Sequence, residues 1–214
     1  MSGNVLNITN GDAFNRFLLE KQSCVAVPFR EAMMDGEVTE ELFSAEFIRA
    51  RAAGLGVSEE IYRANMLDFD ALACTNYDSV KLWFGKDTFC QMNLVLLLAY
   101  LEKIGFSGDV FLNYIDDETF EIIEENIVVV LGIYTRIYKE IFVEKRAPSD
   151  VGALCPDAIK LYFDYHSDSG KLADLVRKNR HLDEYKIMCI LMENSGEYGL
   201  SDLQAARLIK KYKS

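Results

Sequence analysis

Histidine is scarce in this sequence, with only His166 and His181 among 214 residues. A metal centre built from several histidines is therefore excluded. Five cysteines are present, but no two of them form a Cys-x-x-Cys pair, so neither zinc-ribbon spacing nor a redox motif occurs. Their odd number and the lack of a disulfide framework predict a reducing compartment, and therefore a cytoplasmic location.

Long apolar runs and basic charge are also missing. The longest apolar run, Leu94–Leu101, is far shorter than the ~20 residues needed to span a bilayer. The first residues contain neither the basic nor the apolar segment of a signal peptide, so no membrane attachment is expected. With 23 Lys and Arg against 34 Asp and Glu, the net charge of −11 argues against nonspecific binding to nucleic acid or anionic lipid.

The hydrophobic half of the composition is sufficient for a packed core, and it is arranged in short segments. Four apolar runs predict strands at Val5–Thr9, Cys24–Phe29, Val80–Phe84 and Val110–Ile115. Helical patterns between them predict helices over 13–21, over 40–53 with Thr39 as the cap and Gly54 and Gly56 as the break, from Ser58 to near Cys74, and from the Asp87 cap to Ile104. This alternation predicts an open, mostly parallel, three-layer α/β sheet of the Rossmann-like type.

The C-terminal part has a different pattern. Residues 120–131 predict one or two edge strands, residues 133–144 predict a helix, and Pro148–Gly152 predicts a linker. Four short helices are then predicted near 156–166, 169–180, 183–194 and 201–212. The expected organisation is an α/β domain over residues 1–147 and a small all-helical region over 148–214. Residues 171–214 carry a charge of about +3, whereas the rest of the chain carries about −14.

Polar residues follow every predicted strand. They are Asn10-Gly11-Asp12, Arg30-Glu31, Gly85-Lys86-Asp87 and Asp116-Asp117-Glu118, in chain order. In open parallel sheets, ligands bind beyond the carboxyl ends of the strands, near the point where the strand order reverses. If the first and third strands are neighbours, Asp12 and Asp87 face each other there. The sequence therefore predicts a crevice lined by carboxylates and arginine.

Two interpretations of Asp12 and Asp87 remain open. Each aspartate precedes or begins a predicted helix, where it could serve only as an N-cap. As a converging pair they suit Mg²⁺, a sugar hydroxyl, or acid–base chemistry. A phosphate site is disfavoured unless Arg30 or Lys86 offsets the charge, because an aspartate at a helix N-cap repels an anion. No phosphate-binding glycine motif occurs either. Arg30 could equally form a structural ion pair.

Two further side chains near the third strand are candidates. Gln91 lies one turn after Asp87 on the same helix face, where it either lines the crevice or bonds a backbone carbonyl. Trp83 stands at the end of the strand, where it either stacks on a ligand or fills the core. The complete set of predicted ligand-binding residues is Asn10, Gly11, Asp12, Arg30, Glu31, Trp83, Lys86, Asp87 and Gln91.

Two segments resemble a bacterial family designated domain of unknown function 1835. They are VLNITNGD over Val5–Asp12 and LWFGKDTFCQMNLVLL over Leu82–Leu97, and Phe29-Arg30-Glu31 is similar to a third segment of that family. The residues that carry the resemblance are Asn10, Gly11, Asp12, Trp83, Phe84, Asp87 and Gln91. The resemblance covers roughly residues 5–130 and implies no known activity.

The sequence departs from this family at three positions. Ala13 stands where members often have serine, Lys86 where they often have histidine, and Gly36-Glu37 where they usually have Gly-Pro. If a histidine carries a proton in relatives, this chain lacks it.

Two functional hypotheses follow. The first is binding or conversion of a small polar molecule, such as a nucleotide or sugar phosphate, in the crevice. The alternative is a regulatory or interaction protein, because Tyr185–Glu193, the turn Gly196–Gly199 and Ser201–Tyr212 read as a helix–turn–helix with basic residues in the last helix. Those segments could also be a bundle packed on the sheet, with lysines at a helix C-terminus.

Overall fold

The computed structural model describes residues 3–66 and 77–213, and its strands form one sheet. The strands are β1 (Val5–Asn10), β2 (Val25–Phe29), β3 (Ser79–Phe84), β4 (Asp109–Ile115) and β5 (Ile122–Val128). Their order is β2-β1-β3-β4-β5. The first four are mutually parallel and β5 is antiparallel to β4. The predicted mostly parallel α/β fold is confirmed, and β1 and β3 are neighbours, so the strand order reverses between them.

Helices connect the strands and fill the C-terminal region. They are α1 (Asp12–Lys21), α2 (Ala45–Leu55), α3 (Glu59–Met66), α4 (Thr88–Lys103), α5 (Tyr134–Tyr138), α6 (Pro156–His166), α7 (Lys171–Lys178), α8 (Glu184–Glu193) and α9 (Asp202–Tyr212). A π-helical turn, Lys139–Val143, continues α5, and a 3₁₀ turn, Gly196–Tyr198, lies between α8 and α9. The predicted C-terminal helices are confirmed.

The two faces of the sheet are covered unequally. One face carries the main hydrophobic core, in which α4 is central and Leu94–Ala99 are all buried. Among the described residues, the other face is covered mainly by α1, whose Phe14 and Leu18 pack with Trp83 of β3 and Ile115 of β4. Because helices lie on both faces, the central strands are shielded from water as parallel strands require.

The main core extends through both predicted parts of the chain. It contains α4 and the buried apolar residues of α6, α7, α8 and α9 in one cluster. Tyr114 of β4 donates a hydrogen bond to the carbonyl of Ala153 at 2.8 Å, across the predicted boundary. The division at residue 147 itself stays a prediction. In the described ranges, no helix combines the length and apolarity that a membrane span requires.

The predicted start of the second helix is wrong. The helix begins at Ala45, and the Ser44 hydroxyl accepts a hydrogen bond from the backbone N–H of Phe47 at 3.0 Å. Thr39 lies in the preceding loop, where its hydroxyl donates to a nearby carbonyl. Phe43, between these two residues, has a φ of 53°, which no helix accommodates. The helix therefore cannot extend back to residue 40.

Of the two glycines predicted to break this helix, Gly54 does not, because the helix continues through it. A side chain here would place its Cβ 2.5 Å from the backbone nitrogen of Glu37. The helix does end at Gly56, whose left-handed φ of 73° suits a helix C-cap. The end of the third helix predicted near Cys74 lies outside the described residues; α3 is described to Met66.

Replacing Ser44 with alanine should lower the free energy of unfolding by about 1 kcal/mol, because the N–H of Phe47 loses its side-chain acceptor. Urea denaturation of the purified variant measures this difference. Thr39→Ala is the matched control and should change stability by less than half as much. Equal losses in the two variants would contradict the assignment of Ser44 as the cap.

Candidate functional site

Three loops meet at the carboxyl ends of β1, β3 and β4. Asn10, the last residue of β1, reaches the start of α4: its amide nitrogen donates to the Cys90 thiol at 2.8 Å. Its amide oxygen accepts a hydrogen bond from Asn93 at 2.9 Å. The β1 and β3 loops therefore face each other, as the sequence predicts. The residue that crosses the gap is Asn10.

Two aspartates from neighbouring loops lie side by side in this crevice, and we call them the acid pair: Asp87 after β3 and Asp117 after β4. Asp87 caps α4 by accepting a hydrogen bond from the N–H of Cys90 at 3.0 Å. The Cys90 thiol donates to Asp117 at 3.1 Å. A carboxylate oxygen of each aspartate and the Cys90 sulfur all lie within 4.8 Å of one another. Ionisation of both carboxyl groups at this separation is disfavoured, because like charges repel.

Two glycines make room for the acid pair. A Cβ at Gly85 would lie 2.1 Å from an Asp117 oxygen and 2.6 Å from an Asp87 oxygen. A Cβ at Gly199, in the turn between α8 and α9, would lie 2.1 Å from the other Asp87 oxygen. The C-terminal region therefore forms one wall of the crevice.

The environment of the acid pair favours protonated groups. Asp117 is exposed as a residue, but partial desolvation of its carboxyl group in the crevice and the neighbouring Asp87 raise its pKa to about 7. Burial, together with the two aspartates, raises the pKa of the Cys90 thiol well above its usual value. At neutral pH the thiol is thus a hydrogen-bond donor and not a nucleophile. The acid pair holds about one proton that can be released near physiological pH.

Two cavities adjoin at the acid pair and at Gly199. We call the larger one, of about 450 Å³, the polar cavity. The carboxylates that follow β4 line one side of it, and residues within Met192–Leu200 line the other. The smaller, of about 290 Å³, we call the aromatic slot; three phenylalanines line it beside Asn10 and Cys90. Both cavities are open to solvent, so a ligand could contact the acid pair from either one.

The residues of this crevice that could hold a metal ion are Asp87, Cys90 and Asp117, whose donor atoms lie within 4.8 Å of one another. A thiol does not suit Mg²⁺, which prefers oxygen ligands. A softer ion such as Zn²⁺ suits this donor set better, but it would have to displace protons from both the thiol and the acid pair.

The predicted pairing of Asp12 with Asp87 does not form. Asp12 begins α1 and pairs with Arg30, whose Nε lies 3.0 Å from both carboxylate oxygens. Arg30 also donates to the carbonyl of Asn65. Neither residue of this pair lines the polar cavity or the aromatic slot. Gly11, with φ 79°, forms the turn before α1 and donates to the carbonyl of Phe29.

Glu31 lies away from the crevice, in a buried ion pair. Its carboxylate is 2.7 Å from the Arg51 guanidinium, and both side chains are fully buried. The Tyr62 hydroxyl and the N–H of Ala32 donate to the same carboxylate. Arg51 in turn donates to backbone carbonyls, including that of Asp35 at 2.6 Å. These partners tie the loop after β2 to α2 and α3.

The three remaining predicted residues surround the crevice in different ways. Lys86 lines the polar cavity, where it pairs with Glu124 of β5. Gln91 is buried and bridges the carbonyl of Gly85 to the N–H of Cys155, so it supports the crevice from behind. Trp83 packs against Phe14 on the other sheet face and donates to the side chain of Asn7.

Sequence reasoning left Asp117 and the C-terminal turn out of the predicted site. Asp117 follows the fourth strand, and the adjacency of β3 and β4 would have placed it next to Asp87. Nothing in the sequence signals that Gly199 approaches Asp87, more than a hundred residues earlier.

Comparison with protein-family models, curated proteins and solved structures finds no match for this chain. The resemblance to the family of unknown function therefore stays a prediction.

Proposed function

We propose that the crevice binds a small polar molecule and that the acid pair exchanges a proton with it. The observation that carries this proposal is that two carboxyl groups from separate loops lie within 4.8 Å of each other, beside two cavities, at the point where the strand order reverses. An acid whose pKa is near 7 is suited to donate and accept protons under physiological conditions.

The charges around the acid pair support a neutral or cationic ligand. Asp116, Asp117 and Glu118 line the polar cavity together with Asp87. Lys86 is the cation among the described lining residues, and Glu124 already neutralises it. A phosphate group would meet several carboxylates here, whereas hydroxyl and amine groups would find acceptors. The nucleotide or sugar phosphate considered from the sequence is therefore the less favourable ligand.

The separation of the two carboxyl groups supports one kind of acid–base chemistry. In glycosidases that use two carboxyl groups, these groups lie about 5 Å or more apart, on either side of the bond that breaks. The carboxylate oxygens of Asp87 and Asp117 lie within 4.8 Å of each other, at the short end of this range, so we infer that they act on one side of a ligand. One carboxylate can accept a proton while the neighbouring acid donates one.

Thermal denaturation with neutral polyols, nucleosides, amines, sugar phosphates and Mg²⁺ tests this proposal. A neutral or amine probe at ~100 times its dissociation constant should raise the stability by ~2.7 kcal/mol, or several degrees. The rise should be lost in Asp117→Asn and in Asp87→Asn, which retains a capping side chain. It should persist in Asp109→Asn, the same change at the opposite end of β4.

Three results would contradict the proposal: stabilisation by the phosphates alone, no stabilisation by any neutral or amine probe, or a rise that persists in both variants of the acid pair.

We propose a bacterial cytoplasmic location for this activity. The described cysteines Cys24, Cys90, Cys155 and Cys189 are free thiols, which fits a reducing compartment.

The structure gives less support to the alternative of DNA reading by α8 and α9. Three basic residues of α9 and its C-terminus are in ion pairs: Arg207 with Asp35, Lys211 with Asp168 and Lys213 with Glu184. The apolar face of α9 is buried in the main core. These contacts favour the interpretation of the segment as a packed bundle.

A further inference from the structure

The aromatic slot is built around an unusual residue. Phe120, in the loop between β4 and β5, has a φ of 61°, a left-handed conformation that a bulky side chain rarely adopts. The loop fixes it there: the N–H of Phe120 donates to the carbonyl of Asp116 at 2.8 Å, and the N–H of Asp116 donates to the carbonyl of Glu121 at 2.9 Å. Glycine or asparagine would suit this position with less strain. The phenyl ring is thus held in place at a cost in backbone energy.

Phe120 forms one side of an aromatic cluster that continues into the slot. Its ring centroid lies 5.6 Å from that of Phe14 and 5.2 Å from that of Phe17. Phe14, Phe89 and Phe120 line the slot, whereas Phe17 packs behind them and lines neither cavity. The slot is therefore an aromatic surface that ends at the acid pair.

The two cavities differ in chemistry but share Asp87, Asp117 and Gly199. A single ligand can therefore occupy both, with a flat apolar part in one and a polar part in the other. Aromatic side chains bind planar rings by stacking, and carboxylates accept hydrogen bonds from hydroxyl groups.

We propose that the ligand joins a planar ring to an uncharged, hydroxyl-bearing group, as a nucleoside does. The ring lies in the aromatic slot against Phe120, and the hydroxyl groups lie at the acid pair and in the polar cavity. This inference rests on the proposed function, because the acid pair supplies the hydroxyl contacts. It adds the substrate class and assigns Phe120 as a specificity-determining residue.

The experiment measures dissociation constants by NMR titration with three probes: uridine, adenosine and methyl riboside, which lacks the planar ring. Phe120→Leu removes the ring at the strained position and leaves a side chain with a similar backbone cost. Phe17→Leu is the matched control, since it removes a ring from the same cluster outside the slot. Asp117→Asn tests the contact with the acid pair.

Phe120→Leu should weaken binding of at least one nucleoside about tenfold or more, the effect of losing one stacking contact. It should leave methyl riboside binding unchanged, and Phe17→Leu should have little effect on either class of probe. Asp117→Asn should weaken the binding of the nucleosides and of methyl riboside alike.

Two results would overturn the inference in different ways. In the first, methyl riboside binding depends on Asp117, but nucleoside binding is unchanged in Phe120→Leu or falls equally in Phe17→Leu. The slot then does not hold a ring, and the proposed function stands. If no probe binds in a manner that depends on Asp117, the proposed function fails, and this inference fails with it.

Discussion

Arg51→Met is expected to lower the free energy of unfolding by about 3–5 kcal/mol, because it leaves the Glu31 carboxylate buried without its cationic partner. Both side chains are fully buried, and the guanidinium also holds the carbonyls of Ala32 and Asp35. Domains of this kind are stable by roughly 5–15 kcal/mol, so the loss is a large part of the total. Urea denaturation near neutral pH measures it.

Arg49→Met on the same helix is the matched control. The Arg49 side chain is 70% exposed and pairs with Glu59 at 3.6 Å. An exposed pair of this kind contributes less than about 1 kcal/mol. Glu31→Leu should lower the free energy of unfolding much less in the Arg51→Met protein than in the wild type, since no unpaired charge then remains. Similar losses in Arg49→Met and Arg51→Met would contradict the importance of the buried pair.

The second large effect is a gain in stability. Asp117→Asn is expected to make the protein more stable than the wild type at pH 8, although it removes a residue of the proposed site. The folded-state pKa of Asp117 is raised to about 7, whereas an unfolded aspartate titrates near ~3.9. Between these values the folded protein holds a proton that the unfolded chain releases. The free energy of unfolding therefore falls as the pH rises through this window.

Asparagine removes this titration, and its amide can donate a hydrogen bond to Asp87 in place of the shared proton. Denaturation of both proteins at pH 5 and pH 8 measures the difference between their pH slopes. That difference isolates Asp117 from other groups in the window, such as His166, whose pKa is lowered by burial. Asp109→Asn should keep the wild-type slope. A slope that persists in Asp117→Asn would place the titration elsewhere.

The gain and the proposed function have one origin. Two carboxyl groups held close together destabilise the folded chain at neutral pH. Proteins are commonly less stable than they could be where a functional site requires such an arrangement. If the exposed Asp117 did not interact with Asp87, its replacement should change stability by less than about 0.5 kcal/mol.

Local patterns in the sequence predict most of the fold. The apolar runs and the cap at Asp87 depend on neighbours within one turn, so they are visible in the sequence. The second helix shows the limit of this reasoning: Thr39 and Ser44 are both good caps, and the left-handed backbone at Phe43 between them excludes Thr39.

The candidate site is only partly predictable, because its pairings depend on which loops become neighbours. Asp12, Asp87 and Asp117 all follow strands and look alike in the sequence. The order β2-β1-β3-β4 makes the strands before Asp12 and Asp87 neighbours, and the ion pair with Arg30 separates Asp12 from the other two aspartates. Likewise, Glu31 and Arg30 are adjacent in the chain, but one side chain lies in the core and the other at the surface.

Trp83 gives the crevice an optical reporter. It is the single tryptophan of the chain, so the intrinsic fluorescence excited at the red edge of protein absorption comes from one indole. That indole is 6% exposed, and its ring centroid lies 5.4 Å from that of Phe14, a wall of the aromatic slot. A ring that enters the slot would contact Phe14, and we expect this change beside the indole to alter its emission. Ligand entry can therefore be followed in the unlabelled protein, by intensity or by energy transfer to a ring that absorbs in the near ultraviolet.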